Sequence, residues 1–244
     1  MMKKEIGFNG DQVMLVNFKK YNYQEKDYNV KRYELARDEV KRIRGVEEVT
    51  GSVSVVGSGI RNASSVKKGS DTTKTINSVV VGGIERNYFN FYQMKIIAGR
   101  DLDWNKASDT IKGLVINETL AAKVGWNSQQ AIGKDLLVGW GEKSELNNIL
   151  GVVKDFYFNG VDKPVEAAAF FNYDRNWSKN NMGNLQIKLS KDDIPGTIER
   201  ISELWSTKLE PGYPFEYSFV DKNFEKTFLK FQKQKILFST LNGI

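Results

Sequence analysis

The strongest constraint on the fold is a pattern that occurs at both ends of the chain. Residues 12–18 are apolar at odd positions (Val13, Leu15) and at even ones (Met14, Val16, Phe18), which describes a strand covered on both faces. Residues 28–44 then carry Tyr33, Ala36, Val40 and Ile43 at the three- and four-residue spacing of an amphipathic helix. Gly45 stands where a left-handed helix end is needed, and residues 49–56 alternate β-branched side chains as a second strand. The texture returns late in the chain. Residues 184–189 read as a strand, Asp192-Asp193-Ile194-Pro195 as a helix start, and Ile198, Ile201, Leu204, Trp205 and Leu209 as the buried stripe. Pro211-Gly212 turns the chain into a strand over 215–220. Each unit is strand–helix–strand, and the first has the length of a right-handed crossover.

Between the two units the elements are shorter. Residues 57–73, rich in Gly, Ser, Lys and Asn, predict a mobile loop, and 75–84 a third strand centred on Val79-Val80-Val81. An aromatic helix is expected over 87–93 and a strand over 95–98 closed by Gly99. Strands follow at 113–116, 136–140, 148–154 and 165–171, with a helix over 118–124 capped by Asn117 and ended by Gly125. The whole predicts an α+β fold. One discontinuous subdomain covers 1–84 plus 184–244, and a smaller β-rich mixed subdomain, 85–183, is inserted into it. A last helix opening at Asp221 places Phe224, Phe228, Phe231 and Phe238 along one side, where packing on a sheet is the plainest reading.

Composition narrows the chemistry. The 244 residues include no His and no Cys. That removes Ser-His-Asp triads, Cys nucleophiles, disulfides, zinc fingers and haem on a His or Cys ligand. Lys+Arg 36 against Asp+Glu 30 gives a formal charge of +6. The charges alternate, however, and the tight basic pairs Lys3-Lys4 and Lys67-Lys68 do not form the clustered face a nucleic acid needs, so no nucleic-acid partner is expected. No run reaches the roughly 18 apolar residues of a membrane span. Met1-Met2-Lys3-Lys4 leads into Glu5-Ile6-Gly7 without the apolar core of a secretion leader. Apolar character is nonetheless rising through Ile236-Leu237-Phe238 and on to Ile244, which reads as a chain cut at the edge of a membrane helix.

Motifs that could carry chemistry fall short in specific ways. Gly57-Ser58-Gly59-Ile60-Arg61-Asn62 begins like a dinucleotide fingerprint, but it lacks the third Gly and the apolar helix that would hold a pyrophosphate. Ser64-Ser65-Val66-Lys67 matches S-x-x-K, yet Lys68-Gly69-Ser70 follow, and no S-D-N or K-T-G accompanies it. Asp101, Asp103 and Asn105 copy positions 1, 3 and 5 of a calcium loop, whereas Lys106 and Lys112 replace its Gly and its bidentate Glu. Tyr88-Phe89-Asn90-Phe91-Tyr92 could stack bases or sugars, but at helical spacing it more simply plugs a core. No catalytic residue, cofactor or metal is expected.

An ordered series of segments runs through the chain: Gly99-Arg100-Asp101-Leu102, then Val115-Ile116-Asn117-Glu118-Thr119-Leu120-Ala121 with Gly125-Trp126 and Ile132-Gly133-Lys134. Next come Ile149-Leu150-Gly151-Val152-Val153-Lys154-Asp155-Phe156 and Pro211-Gly212-Tyr213-Pro214-Phe215-Glu216-Tyr217. Taken together these segments resemble the extracytoplasmic core domain of MacB-type (FtsX-like) ABC transporter permeases. Asn117, Gly125, Gly133 and Gly151 are the structural positions of this motif: a cap, a left-handed helix end, a tight turn and a close backbone approach. The resemblance implies a porter-like, membrane-proximal subdomain interrupted by a membrane-distal β-rich one. It implies a non-catalytic domain outside the inner membrane, joined to membrane helices of the same permease. A cytoplasmic ATPase, a second permease half in a homo- or heterodimer, and a partner in the periplasm or outer membrane are implied with it. The cargo would be handled by efflux or by lipoprotein-type export. Residues 3–11 and 221–244, with Phe224, Phe228, Phe231 and Phe238, would be force inputs lying together on the membrane-proximal face. The other reading is a stand-alone extracytoplasmic ligand-binding or sensor domain.

Overall fold

The computed structural model describes residues 6–18, 26–57, 62–139, 143–158, 160, 163–174 and 181–222. Its elements run β1 (Val13–Asn17), α1 (Lys26–Lys41), β2 (Val46–Thr50), β3 (Asn62–Lys68), β4 (Ile76–Ile84), α2 (Tyr88–Phe91), β5 (Ile96–Gly99), α3 (Ala107–Lys112) and β6 (Gly113–Asn117). They continue with α4 (Glu118–Lys123), α5 (Ser128–Ala131), β7 (Asp135–Gly139), β8 (Glu145–Val153), β9 (Ala168–Asn172), β10 (Asn184–Leu189), α6 (Ile194–Leu204) and β11 (Tyr217–Phe219). The result is an α+β fold in which both terminal units and the expected short central strands are present.

The two terminal units build one sheet together. Its order is β11-β1-β10-β2, antiparallel throughout. β1 and β2 are therefore parallel to each other but separated by β10, as in a split βαβ unit. Neither unit completes a sheet alone; each supplies strands to the gaps of the other. One face packs on α1 and α6, where Met14, Val16, Val49, Leu185 and Ile187 meet Tyr33, Ala36, Val40, Ile201 and Trp205. Asp193 starts α6 by accepting the Gly196 N–H at 3.0 Å, with Pro195 in the first turn. Beyond Leu204 the helix widens into a π-turn over Trp205–Leu209, which buries Trp205 and Leu209.

The remaining strands form a second sheet of order β5-β8-β6-β9-β4-β3-β7. β7 also pairs with β8, so six strands close into a mixed ring and β5 hangs on the outside edge of β8. β8 manages three partners because its first residues pair with β7, and its last ones pair with β6 on one side and β5 on the other. Two apolar clusters result. Val79, Val81, Leu114, Ile116, Ala169 and Phe171 point to one face, with Leu120 and Val124 at and just beyond α4. Val80, Val115, Val153, Ala168 and Phe170 point to the other, where Tyr88, Phe89 and Tyr92 fill the space. The aromatic helix is thus a core plug. Val13 and Val220, which belong to the first sheet and its margin, join this second cluster, so the two sheets share a core.

Residues 57–73, expected to be a mobile loop, instead contain β3. This correction has a physical cause. Ser64 and Ser65 are small enough to bury beside Val66, and the Ser65 hydroxyl donates to the Gly139 carbonyl at 2.5 Å. A polar strand is stable here because both of its edges are paired, to β4 and to β7. β4, read with the first unit from the sequence, also pairs within the closed sheet. The second expected strand, 49–56, is displaced to Val46–Thr50; beyond it Ser52 makes only an isolated bridge to Ile84.

Candidate functional site

The segment ahead of β1 lies on the closed sheet before entering the open one. Gly7 has φ +84, and a β-carbon there would sit 2.5 Å from the Asp155 carbonyl oxygen, so only glycine fits. On either side the strap is pinned by backbone bonds: the Tyr157 N–H donates to the Ile6 carbonyl at 3.0 Å, and the Asn9 N–H to the Tyr92 carbonyl at 2.8 Å. Phe8 is 8% exposed and presents its ring edge-on to Tyr92 at 5.5 Å and to Phe156 at 6.4 Å. Gly10 then meets the far end of the described chain. An ideal β-carbon on Gly10 lies 3.6 Å from the Val220 β-carbon. The described parts of the two expected force inputs, residues 6–11 and 221–222, are therefore near neighbours. Phe224, Phe228, Phe231 and Phe238 lie outside the described residues.

The strap lands on the segments that carried the family resemblance. β6 and β8 are parallel neighbours, with Asn117 opposite Val153, so the N-E-T and V-K-D runs leave the sheet side by side. The Asp155 carboxylate accepts from the Thr119 N–H at 2.9 Å and from its hydroxyl at 2.7 Å. Glu118 returns the contact by accepting the Asp155 N–H at 2.9 Å. Asn117 is fully buried. Its Oδ1 accepts from Leu120 N–H at 3.0 Å, capping α4, and from Ala168 N–H at 2.9 Å; its Nδ2 donates to the Glu166 carbonyl at 2.8 Å. Gly151 packs under Arg100 so closely that a β-carbon would collide with the Arg100 carbonyl oxygen. Gly125 and Gly133 have φ +82 and +74, and the Gly133 N–H donates to the Ile149 carbonyl at 2.8 Å. Of the residues in this junction, Gly7, Phe8, Glu118, Thr119 and Asp155 were not singled out by sequence reasoning. Glu118, Thr119 and Asp155 stood inside quoted motifs, whereas nothing local marks Phe8.

A polar knot fastens the two sheets nearby. Tyr92 donates its hydroxyl to Gln186 Oε1 at 2.7 Å, and Gln186 Nε2 donates to Ser52 Oγ and Asn184 Oδ1, each at 2.9 Å. Glu85 accepts from the Tyr33 hydroxyl and from Arg37 Nη1, each at 2.9 Å, tying α1 to the end of β4. Burial, reinforced by that carboxylate, holds the Tyr33 phenol well above its ordinary range. Arg32 and Glu210 form a buried ion pair beneath Phe18. Buried polar networks of this kind resist shear between the layers they join.

The chemical candidates are dispersed. Among the described residues no group of three acidic side chains is placed to hold a metal. Asp101 and Asp103 spend carboxylate oxygens on their own turn, accepting from Leu102 N–H at 2.7 Å and Asn105 N–H at 3.1 Å. Ser64, Ser65 and Lys67 are strand residues of β3. Of the glycine-rich run, Gly57 and Asn62 are placed apart by a stretch that lies outside the described residues. Asp101 does supply a titration test. Burial pushes its carboxyl up to about 6, above the ordinary value near ~4. A raised carboxyl favours the fold below the unfolded value and loses that advantage as pH rises through ~4 to ~6. Asp101→Asn is therefore expected to stabilise the domain by about 1–2 kcal/mol at pH 8 and by nothing measurable at pH 4, read from urea unfolding. Asp109, held below the usual range by the Arg100 guanidinium, titrates in the opposite sense in both proteins and cancels in the difference.

This arrangement defines an α+β domain of two sheets sharing one core, in which the described chain ends meet where the sheets join. The profile of the MacB-like periplasmic core domain matches residues 1–204. The chain belongs to that family, the periplasmic core domains of MacB-type ABC permeases. Solved structures agree in fold. The periplasmic region of MacB from Actinobacillus actinomycetemcomitans aligns with TM-score 0.61 and 16% identity, covering 93% of this chain and 96% of its own. The extracellular domain of the ABC-type transporter YknZ from Gram-positive bacteria aligns with TM-score 0.58 and 16% identity, over 85% and 98%. A permease domain from Porphyromonas gingivalis gives 0.55 and 16%, over 86% and 91%. No curated protein sequence matches the chain significantly.

Proposed function

We propose that this domain is the mechanical output of an ABC permease: a non-catalytic body outside the inner membrane that converts movement of membrane helices into handling of cargo or partners there. The observation that carries this reading is the meeting of both described chain ends at Gly10 and Val220, with the N-terminal strap docked on the clasp around Asp155. A displacement entering along either end is delivered at one place to both sheets. The four-stranded sheet with its helices is the membrane-proximal part in this proposal, and the closed sheet is the distal part, with the boundary following strand pairing. The sequence-based division, 1–84 plus 184–244 against 85–183, differs from it only in residues 62–84. The cytoplasmic ATPase, a second permease half and a partner in the periplasm or outer membrane belong to the same proposal. The cargo is exported by efflux or a lipoprotein-type route.

A disulfide tests it. The 3.6 Å separation between an ideal Gly10 β-carbon and the Val220 β-carbon suits a disulfide, and the chain has no other cysteine. Gly10→Cys with Val220→Cys is expected to cross-link on mild oxidation. In the complete permease, oxidation is expected to stop substrate handling and reductant to restore it. Full handling by the oxidised, cross-linked permease would overturn the coupling.

A further inference from the structure

Along the outer flank of the open sheet, α6 and β11 leave a groove of ≈ 600 Å³ lined by Pro195, Ile198, Glu199, Glu203, Phe215 and Tyr217, among others. Its floor is aromatic. Phe215 and Tyr217, two positions apart, line it with ring centroids 5.6 Å apart, and Phe215 rests on the buried Trp205 at 5.8 Å. Tyr217 is 45% exposed, a large side chain left half in water at the sheet margin. The groove's wall is acidic. Glu199 and Glu203 are one turn apart on α6, both exposed, and neither makes an ion pair with a described residue. The cations of the same stretch are engaged elsewhere: Arg200 with Asp193 and the Arg44 carbonyl, Lys208 with Glu39. Among the described residues, the groove therefore shows a partner carboxylates and no positive charge. Its rim is β11, which pairs with β1 in the open sheet.

We propose that this groove is a docking surface for a lysine- or arginine-bearing, apolar-anchored segment of a partner protein. Two features select that occupant. The rings of Phe215 and Tyr217, two positions apart in the chain, accept apolar side chains of a segment laid across them. The carboxylates of α6 meet a cation there and repel an acidic peptide or an anionic membrane surface. The proposal does not rest on the coupling described above: it concerns the α6 side of the open sheet, and its test reads binding by the chain alone.

The probe is a fluorescein-labelled ten-residue peptide alternating lysine with phenylalanine or valine, added to the 244-residue chain. Anisotropy should show saturable binding that weakens as salt is raised. Glu199→Lys with Glu203→Lys should weaken it at least tenfold, and Tyr217→Ser, which leaves the charge untouched, should weaken it severalfold. Backbone amide shifts should concentrate at residues 195–206 and 215–219. Equal binding of a peptide with glutamate at the lysine positions, or unchanged binding by the charge-reversed chain, would overturn the proposal. So would a self-associated chain with the groove shielded by a second copy, or groove-dependent binding to phosphatidylglycerol vesicles. The two glutamates lie on an exposed face, so the charge-reversed chain should keep its circular dichroism and unfolding midpoint.

Discussion

Asn117→Ala is expected to destabilise the domain by about 3 kcal/mol, measured as a shift of the urea midpoint at unchanged slope. The side chain makes three bonds at a fully buried position: it caps α4 through Leu120 N–H, accepts from Ala168 N–H and donates to the Glu166 carbonyl. Losing a helix cap costs about 1 kcal/mol. The larger part comes from the Ala168 N–H and Glu166 carbonyl, which lose this partner in the core, at about 1–3 kcal/mol for such a group. Two controls separate these contributions. Asn117→Ser keeps a short cap but cannot span to β9, and should recover only the cap's share. Glu118→Gln, at the next position, preserves an acceptor for the Asp155 N–H and should cost well under about 1 kcal/mol. If Asn117→Ala costs no more than an ordinary exposed cap, the residue does not knit β6, α4 and β9 together as the geometry indicates.

Phe8→Ala is expected to cost about 3–4 kcal/mol, the range for deleting a buried aromatic side chain. The ring belongs to the shared core of the two sheets, where it packs with Tyr92, Phe156 and Val220. Leucine should recover about half of the loss, because it fills part of the volume without the edge-on aromatic contacts. The distinctive outcome is local. Exchange of the Asn9 and Tyr157 amides, which hold the strap, should accelerate more than exchange of amides in the α1-backed half of the open sheet. On the proposed coupling, the same variant in the complete permease should keep ATP hydrolysis and lose substrate handling. Uniform acceleration of all core amides would make Phe8 an ordinary core residue with no part in transmission.

The elements with the clearest periodicity were legible in advance. The helix now seen as α1 declared itself through Tyr33, Ala36 and Val40, and α6 through Asp193, Pro195 and Ile201, because a helix's buried stripe and its cap are both local in sequence. The motif around Asn117 was legible for the same reason: its cap closes over three residues. β3 was not legible. Its sequence, Asn62–Lys68, has a loop's composition, and it is a strand only because β4 and β7 take up its two edges. The junction was half visible. Glu118, Thr119 and Asp155 stood in motif segments, but their mutual bonds needed β6 and β8 to lie in parallel register.

From the chain alone came the class of fold, the family, and the exclusion of every chemistry that needs histidine or cysteine; all of these follow from residue identity and from patterns local in the sequence. Tertiary structure decided the rest: that the two terminal units interleave into one sheet, that the central strands close on themselves, and that Phe8 reaches Asp155's neighbourhood. Contacts between residues far apart in the chain, such as Tyr92 with Gln186, leave no periodic trace in either partner's local sequence. Their free energy is gained only after the chain has been brought together, so no short window of residues encodes it.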